Sequence, residues 1–292
     1  MSAFSVITPA SARPAEKPVA ATREERLDHI SVVAIGRGDP IVLIPGLSSP
    51  RAVWDGVAPK LARDHQVLLV QVNGFAGDGP GANSGPGVLD GLVDDLHRYL
   101  LRHKLRSVTV IGHSLGGLSA MLLAARQPGD VAKVMVVDAF PFAGVMFDEN
   151  ATPEALRPLA AMLKGRMQAG YAGVSGEASA ESTAKSLALS PSGAALVKEW
   201  VLKADPAVSA QAMAEAMLLD LRPRLTAISA PLTIVHPATV PGKDAAQTAA
   251  FYRGQYAGVR AVKFVPIEGT RHFIMLDQPA AFSDAVERFL KP

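Results

Sequence analysis

Cysteine is missing from all 292 residues of this chain. Its absence excludes a thiol nucleophile, a disulfide framework and a thiolate-bound metal, and leaves the redox compartment open. An excess of one charge is missing too, since 29 Lys and Arg stand against 27 Asp and Glu, a formal net charge of +2. With no basic surplus to neutralise phosphates, nucleic acid is not an expected partner. No apolar run approaches the roughly 20 residues that span a bilayer, so no membrane span is expected. The opening MSAFSVITPASARPAEKPVA has no basic segment leading into an apolar one and does not read as a secretion signal. A cytoplasmic location is therefore favoured slightly, although a periplasmic or secreted protein that had shed its signal would read the same way. Oligomeric state has no signature in the sequence.

What is present is a core-forming composition, 49% apolar and 19% charged, enough for one α/β unit with an insertion. Residues 1–25, rich in Ala, Pro and Ser, show no apolar period and are expected to form a flexible arm. Beyond them, Val/Ile/Leu runs alternate with helical segments. Strands are expected at His29–Ile35, Ile41–Ile44, Gln66–Val72, Ser107–Ile111, Lys133–Val137, Leu232–Val235 and Val259–Val265, several of them apolar throughout, as parallel strands covered on both faces are. One helix face carries Leu89, Leu92, Val93, Leu96, Tyr99 and Leu100, another Val53, Trp54, Val57 and Leu61. The last helix presents Phe282, Ala285, Val286, Phe289 and Leu290, with Pro279 at its first turn. The alternation implies a mostly parallel sheet flanked by helices. Residues 143–222 break it with helical patterns alone. They are expected to form a lid over the strands' C-terminal edge, where open α/β sheets bind ligands, with 26–142 and 223–292 as the core.

The chemistry centres on Gly112-His113-Ser114-Leu115-Gly116-Gly117, preceded by the strand-like VTVI and followed by SAMLLAARQ. G-x-S-x-G between a strand and a helix marks a sharp turn that lifts the serine above the sheet edge. Only small residues fit two positions before and after it. Ser114 is the expected nucleophile. Upstream, Ile41–Ile44 runs into Pro45-Gly46-Leu47-Ser48-Ser49-Pro50 and then Trp54. The N–H of Leu47, with that of Leu115, is expected to form an oxyanion hole, to which Ser48 or Ser49 would add a hydroxyl if it is not simply part of a polar turn. His272, in GTRHFIMLDQP after the last strand, is the expected base. Among the other histidines, His29, His65, His97 and His103 read as solvated flanks, His113 as pointing away from Ser114, and His236 as the one rival. No cluster has metal-ligand spacing, so neither metal nor cofactor is expected.

These segments together resemble the α/β-hydrolase superfamily, in its serine esterase and lipase-like branch, over residues 29 to 290. The family's usual His-Gly is Pro45-Gly46 here, and its usual G-x-x-D after the seventh strand is replaced by Val235-His236-Pro237-Ala238-Thr239-Val240-Pro241. The resemblance implies an acid for the histidine and a lid inserted after the sixth strand. Two carboxylates compete for the acid's place. Asp138 directly follows the strand ending in Val137, where some haloalkane-dehalogenase-like relatives carry their acid; Asp244 lies in a polar loop after the seventh strand. Asp138 is expected, with Asp244 the alternative. The implied function is hydrolysis of a small carboxylic ester, short to medium acyl or aryl, through an acyl-enzyme. Carbon–carbon hydrolysis, lactonase, amidase, acyltransferase and perhydrolase activity, and a non-catalytic binding role, are the alternatives on the same fold. Met146, Met162, Met167, Met213 and Met217, in or beside the expected lid, suggest an apolar and adaptable pocket.

Overall fold

The computed structural model describes residues 24–169 and 173–291. Most of the expected arm, residues 1–23, lies outside them. The arm's last residue instead begins a short strand, β1 (Glu25–Arg26), which pairs antiparallel with β2 (Ile30–Gly36). There follow β3 (Asp39–Ile44), α1 (Ala58–Leu61), β4 (His65–Val72), α2 (Val88–Arg102), β5 (Val108–His113), α3 (Leu115–Arg126) and β6 (Val131–Val137). After them come α4 (Pro153–Gln168), α5 (Gly173–Leu187), α6 (Pro191–Lys203), α7 (Pro206–Leu218), β7 (Leu232–Pro237), α8 (Ala245–Gln255), β8 (Val262–Ile267), α9 (Ile274–Asp277) and α10 (Pro279–Leu290). All seven expected strands are present, with boundaries shifted by one to three residues.

The strands form one eight-stranded sheet in the order β1-β2-β4-β3-β5-β6-β7-β8, antiparallel at β1/β2 and β2/β4 and parallel elsewhere. From β3 the chain proceeds to β4 on one side and then returns to β5 on the other. The C-terminal ends of β3 and β5 therefore flank a topological switch point, where this architecture leaves a crevice. Ile44 lies opposite Gly112, which fixes the turn after β3 beside the turn after β5.

The apolar face foreseen on α2 is buried at every named position. The foreseen Val53–Leu61 helix is instead broken into a 3₁₀ turn, Arg51–Trp54, and the single turn α1. Pro59 has no N–H to continue a helix from Asp55, yet Val53, Trp54, Val57 and Leu61 are all buried. The face survives without the helix.

Between β6 and β7 the regular structure of the described residues is helical apart from one isolated bridge, Phe142 to Asp220. The insertion is tied to the core at several points. Glu215 of α7 accepts hydrogen bonds from the first-turn N–H of Leu89, at 3.0 Å, and from Gly87, and Asp205 N–H donates to the Gly74 carbonyl at 2.7 Å.

Candidate active site

Ser114 occupies the turn between β5 and α3 at φ 53, ψ −119, a backbone that a non-glycine residue holds only under strong surrounding constraint. Its N–H donates to the Val137 carbonyl at 2.9 Å, fixing the turn to the end of β6. The flanking glycines are required by contact. A Cβ on Gly112 would stand 2.2 Å from the Gly116 carbonyl oxygen, and one on Gly116 2.3 Å from that of Ile44. Leu115 begins α3, so its N–H is a first-turn donor without an acceptor inside the helix.

The turn after β3 closes by Ser49 N–H donating to the Gly46 carbonyl at 3.1 Å. Leu47 and Ser48 form its apex, and Ser48 has φ 58. A Cβ on Gly46 would lie 3.2 Å from the Ser114 Cβ, so this turn abuts the serine. Leu47, Ser48, Ser114, Leu115, Asp138 and His272 all line one cavity of about 400 Å³.

Asp138 directly follows β6 with φ 46, its N–H donating to the Val235 carbonyl at 2.8 Å. Its Oδ2 accepts from His272 Nδ1 at 2.6 Å, and its Oδ1 from the Tyr252 hydroxyl of α8. A carboxylate only accepts, so the His272 hydrogen sits on Nδ1 and Nε2 keeps its lone pair. Burial, and then the Asp138 charge, hold the Tyr252 hydroxyl far above its ordinary pKa of 10, which keeps it a donor. Asp244 is not brought to His272. It caps α8 in a capping box, Oδ1 accepting from Gln247 N–H at 2.8 Å, so its sequence signal belongs to a helix start.

His272 is held from three directions. Asp277 accepts from Arg271 N–H at 2.8 Å with one oxygen and from Leu189 and Ser190 N–H, at 2.8 and 2.9 Å, with the other. Phe273 N–H donates to the Leu187 carbonyl at 3.0 Å. These bonds tie the histidine loop to the link between α5 and α6.

The third hold is His113, expected to point away from Ser114 but found among the residues that line the same cavity. It is fully buried, packs its ring 4.6 Å from that of His272 and donates from Nε2 to the His272 carbonyl at 3.0 Å. Burial first, and then the neighbouring His272, push its pKa well below 6.5, so it is neutral near pH 7.

The rival His236 lies buried with its ring stacked 4.2 Å from Tyr252, and it is not among the described residues that line the cavity. The supposedly solvated histidines are paired: His29 with Asn83 at 2.6 Å, His97 with Asp130 at 2.5 Å and His103 with Glu25 at 2.7 Å, while His65 Nδ1 is buried. Among the described residues no three His, Asp or Glu side chains converge to hold a metal ion.

Tyr252, Asp277 and His113 carry no role in the sequence reading. Tyr252 has no local signal, because its partner lies 114 residues away. Asp277 stands within the histidine motif, but two of its partners, Leu189 and Ser190, lie 88 and 87 positions away. The segment between β6 and β7 supplies part of the cavity's wall through Met146, Phe147, Met167, Leu187, Met213 and Met217; the fifth methionine of that group, Met162, is not among the lining residues, and both Met162 and Met146 are exposed.

A model of the alpha/beta hydrolase family matches residues 41–285. An N-formylmaleamate deformylase of Pseudomonas putida is 30% identical over 105 residues, 35% of this chain and 38% of that protein. A pimeloyl-(acyl-carrier protein) methyl ester esterase of Aeromonas hydrophila is 33% identical over 112 residues, 38% of this chain and 42% of that protein. The matched segments thus span less than half of either relative. An enol-lactonase from Burkholderia xenovorans superposes with TM-score 0.71 at 17% identity, covering 92% of this chain and 99% of that one, a likeness of fold. With the family model spanning most of the chain and the sheet in this order, the protein belongs to the alpha/beta hydrolase family.

Proposed function

We propose that the protein is a serine hydrolase that cleaves small carboxylic esters through an acyl-enzyme. The observation that carries this is the 2.6 Å bond between Asp138 and His272 Nδ1, formed in the same cavity that Ser114 lines at positive φ. In this reading His272 Nε2 takes the Ser114 proton as Oγ attacks the ester carbonyl, and the N–H groups of Leu47 and Leu115 receive the oxyanion. The alcohol leaves with the proton from His272, and water then repeats the sequence on the acyl-enzyme. The Asp138 charge orients the imidazole and stabilises its cation.

The cavity favours the substrate class. Apart from Asp138, His272 and the buried, neutral His113 its lining holds no ionisable side chain, and its wall is mostly methionine, leucine, alanine and phenylalanine. A volume of about 400 Å³ lies in the usual range for small-molecule sites. The pocket suits uncharged short to medium acyl or aryl esters, with residues 143–222 as its roof. The test is a chain-length series of p-nitrophenyl esters from acetate to palmitate with a charged ester, succinate, beside it. Turnover should peak at short or medium chains and be weak on the charged ester. A strict preference for the charged ester contradicts the reading.

A further inference from the structure

Ser48 and Ser209 stand with their Oγ atoms 2.8 Å apart. Both are nearly buried, at 5% and 3% exposure, and both line the cavity that holds Ser114 and His272. One comes from the turn after β3, the other from α7 in the helical insertion. The neighbouring Ser49 directs its hydroxyl to the Leu47 carbonyl at 3.3 Å, a local turn contact. Ser48 behaves differently. It is held at φ 58, a left-handed backbone that costs a non-glycine residue energy and marks a constrained position. Nor does its side chain cap the 3₁₀ turn that follows, which begins at Pro50 without a side-chain cap.

Two hydroxyls carry two hydrogens, and the bond between them uses one. When Ser209 donates, the Ser48 hydrogen is left over. The Leu47 carbonyl at the turn's apex already accepts from Ser49, so a carbonyl oxygen bound beside Ser114 would be a new acceptor for it. The turn that carries Ser48 already abuts the nucleophile, since a Cβ on Gly46 would lie 3.2 Å from the Ser114 Cβ.

We propose that Ser48 is a third oxyanion donor and that Ser209 is the positioning residue that aims it, an inference resting on the acyl-hydrolysis reading above. As Ser114 Oγ bonds to the carbonyl carbon, its proton passes to His272 Nε2 and the carbonyl π pair moves onto oxygen. That oxygen accepts from the N–H of Leu47, the N–H of Leu115 and the hydroxyl of Ser48. When the intermediate collapses the pair returns, and the alcohol departs with the proton from His272. The helical insertion thereby contributes to catalysis as well as to the pocket wall, because displacing α7 leaves the Ser48 hydroxyl without its guide.

The test uses the full chain and its Ser48→Ala, Ser209→Ala and doubly substituted variants, with p-nitrophenyl butyrate as substrate and a fluorophosphonate as probe of Ser114. Ser48→Ala should lower kcat about 10²-fold, the usual cost of one oxyanion donor, with KM little changed. Ser209→Ala should lower kcat about tenfold, as expected for losing one orienting hydrogen bond. The double variant should lose no more than Ser48→Ala alone, because Ser209 acts through Ser48. Additive losses, or a Ser48→Ala kcat within about twofold of the parent, overturn the inference while the phosphonate still labels Ser114. A parent chain that the phosphonate does not label overturns the underlying reading, and the inference with it.

Discussion

Replacing Asp138 by Asn removes one charge and almost no volume. In the native site Oδ2 accepts from His272 Nδ1 at 2.6 Å, Oδ1 accepts from Tyr252, and the side chains of His272 and Asp138 are 24% and 11% exposed. In the proposed mechanism the imidazole becomes a cation beside that carboxylate in the transition state. Two unit charges about 4 Å apart at an effective dielectric near 20 attract by roughly 4 kcal/mol, so losing the charge alone slows the step about 10³-fold. Asn also brings an NH₂ donor that can face His272 Nδ1 and hold the wrong tautomer, which extends the loss toward 10⁴-fold. Initial rates on p-nitrophenyl butyrate should fall by that factor while the melting temperature changes little. Asp244→Asn is the matched control. Asp244 caps α8 through Gln247, and Asn caps a helix as well as Asp does, so rate and stability should both hold; Asp244→Ala should cost about 1 kcal/mol of stability and leave the rate unchanged. Full activity in Asp138→Asn, or a large rate loss in Asp244→Asn, refutes the reasoning.

Two further outcomes follow from the site's surroundings. His113 and His236 both have native pKa values below 6.5, mainly through burial, so below that pH the unfolded chain binds protons that the native state refuses. The stability they contribute is full above pH 6.5 and declines as pH falls through the window beneath it, by about 1.4 kcal/mol per pH unit for each proton; melting curves between pH 7.5 and 5.5 should show the decline, and His113→Gln should flatten it. Gly112→Ala places a Cβ 2.2 Å from the Gly116 carbonyl oxygen, a clash with backbone that a side-chain rotation does not relieve, so the variant should be insoluble or melt far below the parent by circular dichroism.

The fold was largely legible because its signals are local. Apolar runs such as Val131–Val137 and the periodic face of α2 state their own conformation, and the G-x-S-x-G spacing predicts the glycine contacts seen at Gly112 and Gly116. Boundaries were less legible where a proline intervened, as at Pro59, which breaks the helix but leaves its apolar face buried. The candidate site's placement was legible where one segment carries the message, as in the strand-to-helix turn at Ser114, and least where distant side chains meet. The sequence places His113 beside Ser114, yet its partner is the carbonyl of a residue 159 positions later, and the Ser48–Ser209 pair spans 161 positions. Of the histidines read as solvated flanks, His103 is exposed and His29, His65 and His97 are half-buried, and the side chains that pair with His29, His97 and His103 lie elsewhere in the chain.

The measurement closest to the central proposal is intact-mass and peptide mass spectrometry of the full chain after reaction with a fluorophosphonate. An activated serine at a strained turn attacks such a reagent and bystander serines do not. The account predicts one adduct per chain, on the peptide holding Ser114, with labelling and ester turnover lost together in Ser114→Ala while the melting curve is kept. An adduct on another serine, or turnover that survives Ser114→Ala, would contradict it.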